Sequence, residues 1–389
     1  MGLYVFCVVA MLGVGRHVHL PDEQWGMSSY GGSLTVSLEQ MMGRRLTTDF
    51  LVDYASARAL ADGVDPYAIS GGLIDRIGGP EWPVPTANPH PPTMVLLTLP
   101  FALVRYEWAL AAWSIAMVFA LVLTVRLSGA RWEVAIPAGL ALAVCWPGAY
   151  GIGNAVPVIG LGIAMAVRYR DTPWLAAAGA ALAAAPKTSG LLILVPFVLT
   201  FRWRTVVYTL GWMAALAAAP LAWFPRVWNT YADRGLDAIR QNAARVDNGA
   251  ILNLGAKLGV PHIVTGLALV GIALLIARRS RDVFWPIVWL VVAALPISWM
   301  YSMLTFIPLV VHAVRRGGRV AWVCSILAAA LAASSTPLGS WPTWVQPVVV
   351  LLMAPVAAQA GGGEWWPEWH RWRTLIRPRE CTAASTAQG

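Results

Sequence analysis

Apolar residues along this chain come in blocks, not in alternation, and the blocks have the dimensions of membrane helices. Apolar runs cover 3–15, 93–104, 108–125, 134–146, 156–167, 174–185, 191–201, 206–223, 263–277, 283–297, 303–314, 320–333 and 345–358. An upright span needs ~20 residues. The shorter runs are therefore expected either to be completed by flanking Trp, Tyr and small residues or to form short helices around a cavity. The polar gaps set the orientation. Arginines cluster at Arg126 and Arg131, Arg168 and Arg170, Arg202 and Arg204, Arg278 to Arg281, Arg315 to Arg319 and Arg371 to Arg379, and positive charge marks cytoplasmic loops. Every second gap fits. Between the acidic first gap and Arg126 there are two apolar runs where parity permits one crossing. The run 93–104 is thus predicted to re-enter, leaving about twelve crossings with both ends inside; the alternative is that the arginines near Arg126 break the rule. The predicted fold is an all-α integral membrane protein, a polytopic helical bundle forming one domain over 1–360.

Two gaps are long, and both fall on the external side: 16–92 and 224–261. In the first, "SLTVSLEQMMGRRL" places Leu34, Leu38, Met41 and Met42 on one helical face, and in the second "RGLDAIRQNAARV" repeats Leu236, Ile239 and Ala243 at helical spacing. Both predict helices lying in the membrane interface. Residues 361–389, with "EWWPEWHRWRTLIRPRE", are expected to form an aromatic and basic cytoplasmic tail.

Composition narrows the function. Of 389 residues, 58% are hydrophobic and only 12% charged, more apolar surface than a water-soluble core can hide. Cys7, Cys145, Cys324 and Cys381 are scattered without metal or disulfide spacing, so neither a metal nor another cofactor is expected. The net charge of +9 is almost wholly arginine between apolar runs; this orients a chain in a bilayer and does not indicate a nucleic-acid partner. The Ala, Arg and Trp bias resembles a GC-rich bacterial genome, which points to a multi-pass protein of a bacterial cell membrane. The run 3–15 has no basic residue before it, which leaves the translation start open.

The acidic residues are concentrated. Nine of nineteen, from Asp22 to Glu81, fall in the first external gap, while 172–232 and 284–363 contain none. Ion-coupled carriers use carboxylates within their spanning helices, so this distribution favours chemistry at the outer surface. Asp49 and Asp53 are four apart, on one side of a helix if "TDFLVDYASARALADGVDPY" is helical. Their proximity could raise one pKa and leave the other carboxylate ionised, as a general base requires. Spacing alone favours a structural role, with Thr48 as N-cap and Asp49 facing the helix dipole, Arg58 and Asp62 as an i,i+4 pair and "GVDPY" as a helix stop and turn. Lys187, in "AAAPKTSG", suits an anionic phosphate or a snorkelling helix end. The second external gap carries Arg226, Arg234, Arg240, Arg245 and Lys257, an excess that phosphate attraction or a solvated face would explain. His90 in "ANPHPP", Asn154 in "YGIGNAV" and Asn248 in "VDNGAILNL" read as turn or cap residues by spacing alone.

Taken in order, these segments resemble glycosyltransferase family 87, the polyprenyl-phosphate-mannose-dependent α-mannosyltransferases of the C-type superfamily. "TDFLVDYASARALADGVDPY" is similar to that family's D-F-x-x-Y-x-x-A-x-A-L-x-x-G-x-D-P-Y opening. "NPHPPTMVLLTLPFALV" resembles its Y-P-P helix start, "GIGNAVPVIGLGIAMAV" its G-Q-x-N segment and "AAAPKTSGLLILVPF" its alanine-rich lysine segment. "DNGAILNLGAKLG" is similar to N-Q-S-L-x-x-L and "PISWMYSMLTFIPLV" to S-P-x-S-W-x-H. The departures are Asn154 in place of glutamine, Gly249 in place of glutamine after Asn248, and Tyr301 in the region where histidine is frequent.

The resemblance implies a C-type glycosyltransferase-like bundle whose external first loop carries a catalytic aspartate, Asp49, with Asp53 as reserve. It implies inverting transfer of a sugar, mannose first, from a polyprenyl phosphate sugar donor to a glycolipid or lipoglycan acceptor at the external face. Lys187, Arg240 and Arg245 would meet the donor phosphate, and Tyr67, His90, Asn154, Asn248, Trp299 and Tyr301 would line the substrate site. Transfer of arabinofuranose or another sugar, a non-catalytic lipid-linked sugar carrier and a degenerate scaffold are the competing readings.

Overall fold

A computed structural model describes residues 48–77, 87–145, 153–243, 250–295, 300–334 and 345–361. Every regular element among them is helical: α1 (Thr48–Ala61), α2 (Ser70–Arg76), α3 (Pro92–Ala102), α4 (Tyr106–Leu127), α5 (Trp132–Cys145), α6 (Val156–Arg168), α7 (Pro173–Ala184), α8 (Leu194–Leu199), α9 (Trp203–Ala218), α10 (Val227–Thr230), α11 (Leu236–Ala243), α12 (Ile251–Lys257), α13 (His262–Ser280), α14 (Phe284–Ala293), α15 (Ile307–Arg315), α16 (Arg319–Ser334) and α17 (Val345–Ala360). Tight 3-10 turns at Thr188–Ile193, Ala219–Ala222 and Met300–Phe306 and a π turn at Tyr231–Gly235 join some of these end to end.

Among the described residues, three stretches are long and apolar enough to cross a bilayer, namely α4, α9 with its 3-10 continuation to Ala222, and α13; the shorter apolar helices have 10–17 residues. Burial separates the three. In α4, 56% of the span is buried, against 22% in the other two, so α4 belongs to the interior while α9 and α13 form the rim. Their outward residues, Val207, Leu210 and Trp212 on α9 and Ile263, Leu267, Leu274 and Leu275 on α13, are all exposed. An apolar face of this extent is stable against lipid and not against water.

The interior is built from α4 to α8 and α14 to α17, with Trp285, Trp289, Phe197 and Phe284 fully buried. Trp289 Nε1 donates to the Val350 carbonyl at 2.8 Å, which satisfies the indole in an apolar setting. The α6–α7 crossing is backbone against backbone. A Cβ on Gly162 would lie 2.5 Å from the Gly179 carbonyl, and one on Gly179 would lie 2.6 Å from the Ala166 nitrogen. Small residues at both positions are what let these helices approach so closely.

The first described helix is not a surface helix. Phe50, Leu51, Asp53, Tyr54, Ala55, Ser56, Ala57, Ala59 and Leu60 are all buried, so α1 is covered almost all round. Phe50, Tyr54 and Leu60 face Met94, Val95 and Trp113 of α3 and α4, while Leu51, Ala55 and Ala59 pack on Leu73 and Ile74 of α2. Its end is a Schellman motif: Gly63 takes φ +69°, Val64 N donates to the Ala59 carbonyl and Gly63 N to that of Leu60. The i,i+4 pair of Arg58 and Asp62 forms, at 3.4 Å.

The re-entrant candidate is the eleven-residue α3, which at 1.5 Å per residue reaches about 16 Å, roughly half the hydrocarbon thickness. The anticipated interfacial helix at 33–46, the run 3–15 and the tail from 362 onward lie outside the described residues. In the second long gap α11 forms as anticipated, but the residue it buries is Ala238, while Leu236 is 39% exposed. Ile239 packs against the cluster formed by α1, α3 and α4.

Candidate active site

Four chain segments converge on one polar cluster, each delivered by a helix end. The first is α1, carrying Asp49 and Asp53. The second is the approach to α3, residues 87–91, where Pro91 and Pro92 hold the preceding residues extended and pre-form the helix start. The third is the start of α6 at Asn154. The fourth is the break after α7, where Pro186 ends the helix and Lys187 takes an extended conformation before the 3-10 turn. Two buried hydrogen bonds fasten these parts: Thr93 Oγ1 donates to the Ala185 carbonyl at 2.6 Å, joining α3 to the Lys187 break, and Trp113 Nε1 donates to the Gly153 carbonyl at 2.8 Å, fixing the strand of chain before α6.

Asp49 and Asp53 share one side of α1 but differ in depth. Asp49 is only partly buried. Its Oδ2 accepts from Asn154 Nδ2 at 2.7 Å, while Asn154 Oδ1 accepts from the Val156 N–H at 3.0 Å. The amide is thereby oriented with its NH2 toward the carboxylate. Burial pushes the Asp49 carboxyl above the usual carboxylate range and Asp53 adds to the push, against the opposing pull of His90, the Asn154 hydrogen bond and Lys187. Asp53 is fully buried. Its Oδ1 accepts from Asn88 Nδ2 at 3.0 Å and contacts His90 Nδ1 at 2.8 Å; Oδ2 is buried with no hydrogen-bond partner.

His90 is held at three points. Its backbone N–H donates to Asn88 Oδ1 at 2.8 Å, its carbonyl accepts from the Tyr67 hydroxyl at 2.8 Å, and its ring is bound through Nδ1. Burial disfavours its charge, but the charge and hydrogen bond of Asp53, with the charge of Asp49, overcome this and the opposing Lys187, so its pKa is raised. Tyr67 is fixed in turn by Asp65, whose Oδ1 accepts from its N–H at 2.9 Å, and by the ring of Tyr231 at 5.2 Å. Lys187 lies within electrostatic range of both Asp49 and His90. It also lines a small crevice with Ser189, Ser302 and Thr305, walled by Val156, Ile159, Val291, Val292 and Leu295. One end of that crevice is cationic and the rest is mainly apolar.

Of the residues singled out from sequence, Asp49, Asp53, His90, Asn154 and Lys187 come together, with Tyr67 behind His90. Arg240 is exposed on α11; the second-loop arginine that reaches the first loop is Arg234, 3.0 Å from Asp65. Arg245, Asn248 and Trp299 lie outside the described residues, and Tyr301 is placed in a 3-10 turn by its backbone. Asn88 and Ser56, which accepts from Asn88 Nδ2 at 3.1 Å, were not anticipated as site residues. The proline pair after "NPH" was the available signal, because prolines pin the chain that presents Asn88. Among the described residues, no group of three or more His, Cys, Asp or Glu could hold a metal ion.

No curated protein and no solved structure matches the chain. The model of glycosyltransferase family 87 matches residues 89–300, which takes in His90, Asn154 and Lys187 and begins after the two aspartates. With more than half of its length matched in this way, the chain belongs to glycosyltransferase family 87.

Proposed function

We propose that this protein is an inverting glycosyltransferase that moves a sugar, mannose first, from a polyprenyl phosphate to a hydroxyl of a glycolipid or lipoglycan at the external face of a bacterial cell membrane. Family membership supports a transferase with a lipid-linked donor. The observation that carries the mechanistic reading is the setting of Asp49: a partly buried carboxylate, oriented by Asn154, within range of two cationic side chains of which one lines a largely apolar crevice.

Asp49 accepts the proton of the acceptor hydroxyl as its oxygen attacks the anomeric carbon opposite the phosphate. The bond between that carbon and the phosphate oxygen breaks, and the electron pair stays on the phosphate, which gains a negative charge. Lys187 offsets that charge, a preorganised electrostatic contribution that needs no metal. Asp53 is less suited to the base role, because it is fully buried and its Oδ1 is already occupied.

The test uses membranes containing the protein, donors bearing radiolabelled mannose or arabinose, and extraction of labelled glycolipid. Asp49→Asn is expected to abolish transfer with unchanged membrane abundance, and label from mannose is expected in product. Wild-type transfer by Asp49→Asn would remove the base assignment. Donor movement across the bilayer without product in the wild type would favour a carrier.

A further inference from the structure

Asp53 is expensive to place where it is. A carboxylate with no exposed surface, one oxygen bonded and the other without a partner, is strongly disfavoured unless a positive charge stands beside it. Among the described residues, the group in direct contact that can supply one is His90. An ionised Asp53 can only accept, which assigns the proton of the 2.8 Å His90 contact to Nδ1, donating to the same Oδ1 that accepts from the Asn88 amide. Nδ1 is thereby committed, and any ligand must meet the imidazole through Nε2. The His90 side chain keeps 16% of its surface exposed, whereas that of Asp53 keeps none, so the ring is the outward end of the pair. The backbone on both sides of the ring is pinned by Asn88 and Tyr67. Such effort fixes a ring orientation, which a plain turn residue does not require.

We propose that Asp53 is a positioning residue that holds His90 as an oriented imidazolium, and that His90 Nε2 joins Lys187 in binding the phosphate of the lipid-linked donor. This rests on the transferase reading above. In the reaction the carbon–oxygen bond to phosphate breaks, the acceptor proton goes to Asp49, and the departing phosphate carries one more negative charge. His90 keeps its proton and donates a hydrogen bond, so the atoms and charges balance without an acid step. The groups facing His90 are Asp49 and Asp53 from α1, Lys187 from the break after α7, and the Tyr67 hydroxyl, which holds its carbonyl. The cluster holds two carboxyl groups, one imidazole and one amine before donor arrives.

The test is binding of a polyprenyl methyl phosphodiester to the full-length protein in detergent, measured between pH 5 and 9. This headgroup keeps one charge throughout, so pH dependence belongs to the protein. Wild-type affinity is expected to fall as pH rises through the titration of His90. His90→Gln should lose about tenfold in affinity at low pH, which is about 1.4 kcal/mol, and, compared in an Asp49→Asn background so that the neighbouring carboxyl does not titrate, flatten the pH dependence. Asp53→Asn, nearly isosteric, should shift the midpoint to lower pH, and adding His90→Lys should restore affinity without Asp53. Should Asp53→Asn fail to fold, the His90→Gln profile alone decides. An unchanged profile in His90→Gln, or a weakened Asp53→Asn with the wild-type midpoint, overturns the inference. Asp49→Asn separates the two proposals: it should bind the phosphodiester at least as well as wild type. If no sugar transfer is found while these profiles hold, the transferase reading fails and the phosphate site stands; transfer with flat profiles gives the reverse.

Discussion

Asn154 makes a sharp test of how Asp49 is tuned. Its amide donates a 2.7 Å hydrogen bond to a carboxylate whose pKa burial has already raised. A hydrogen bond to a charged group contributes about 1.5–3 kcal/mol, and one pKa unit corresponds to about 1.36 kcal/mol. If the bond acts on the ionised form and water replaces part of it, Asn154→Ala should raise the Asp49 pKa by about one unit. The sign follows from the role: a base works only when ionised, so a higher pKa moves the acid limb of the rate profile to higher pH. At a pH below both values the variant should be about tenfold slower, and well above both it should approach wild type. Asn154→Asp keeps an acceptor for the Val156 N–H but sets carboxylate against carboxylate, so its limb should move further. Thermal melting provides the control, because only Asn154→Ala loses the partner of Val156 N–H, worth about 1 kcal/mol. The assay is kcat/KM against pH with labelled donor. A uniformly lower rate with the limb unmoved would refute the reasoning and make Asn154 a sugar contact instead.

Two further outcomes test the scaffold. Gly162→Val forces a branched side chain into backbone 2.5 Å away and should destabilise the α6–α7 pair by about 1–3 kcal/mol, read as a lowered melting temperature in detergent. Arg234→Ala removes a pair whose arginine side chain is 54% exposed and should cost less than about 1 kcal/mol, fading with salt. Asp65→Ala should cost more, since it also removes the acceptor for the Tyr67 N–H.

The bundle was legible because its elements are set by blocks of apolarity. The run at 108–125 became α4 with two residues added at either end, and the run at 263–277 became α13 with one residue added before and three after. The blocks said less about where helices tighten. The run at 303–314 begins as a 3-10 turn, as does the one after Lys187, and neither change leaves a trace in hydropathy, since both conformations bury the same side chains.

The site divides in the same way. Spacing placed Asp49 and Asp53 on one side of α1, and it could go no further, because depth is not a property of the helix that carries them. It is set by what covers each turn. Over Asp53 lie Asn88 and His90, brought there by a segment 35 and 37 residues away in sequence; beside Asp49 lies Asn154, 105 residues away. Local pattern also favoured turn and cap roles for His90 and Asn154, and both do make local backbone contacts: His90 N–H to Asn88, Asn154 to Val156. The polar atoms left over after those contacts are the ones that reach the aspartates. A short polar residue at a helix entrance has more hydrogen-bonding capacity than its turn consumes, and in a bundle poor in charge the remainder is directed inward. Two carboxylates one turn apart acquire different work from this: one is closed off by a histidine and an amide, the other is left with an oxygen that a hydroxyl can approach.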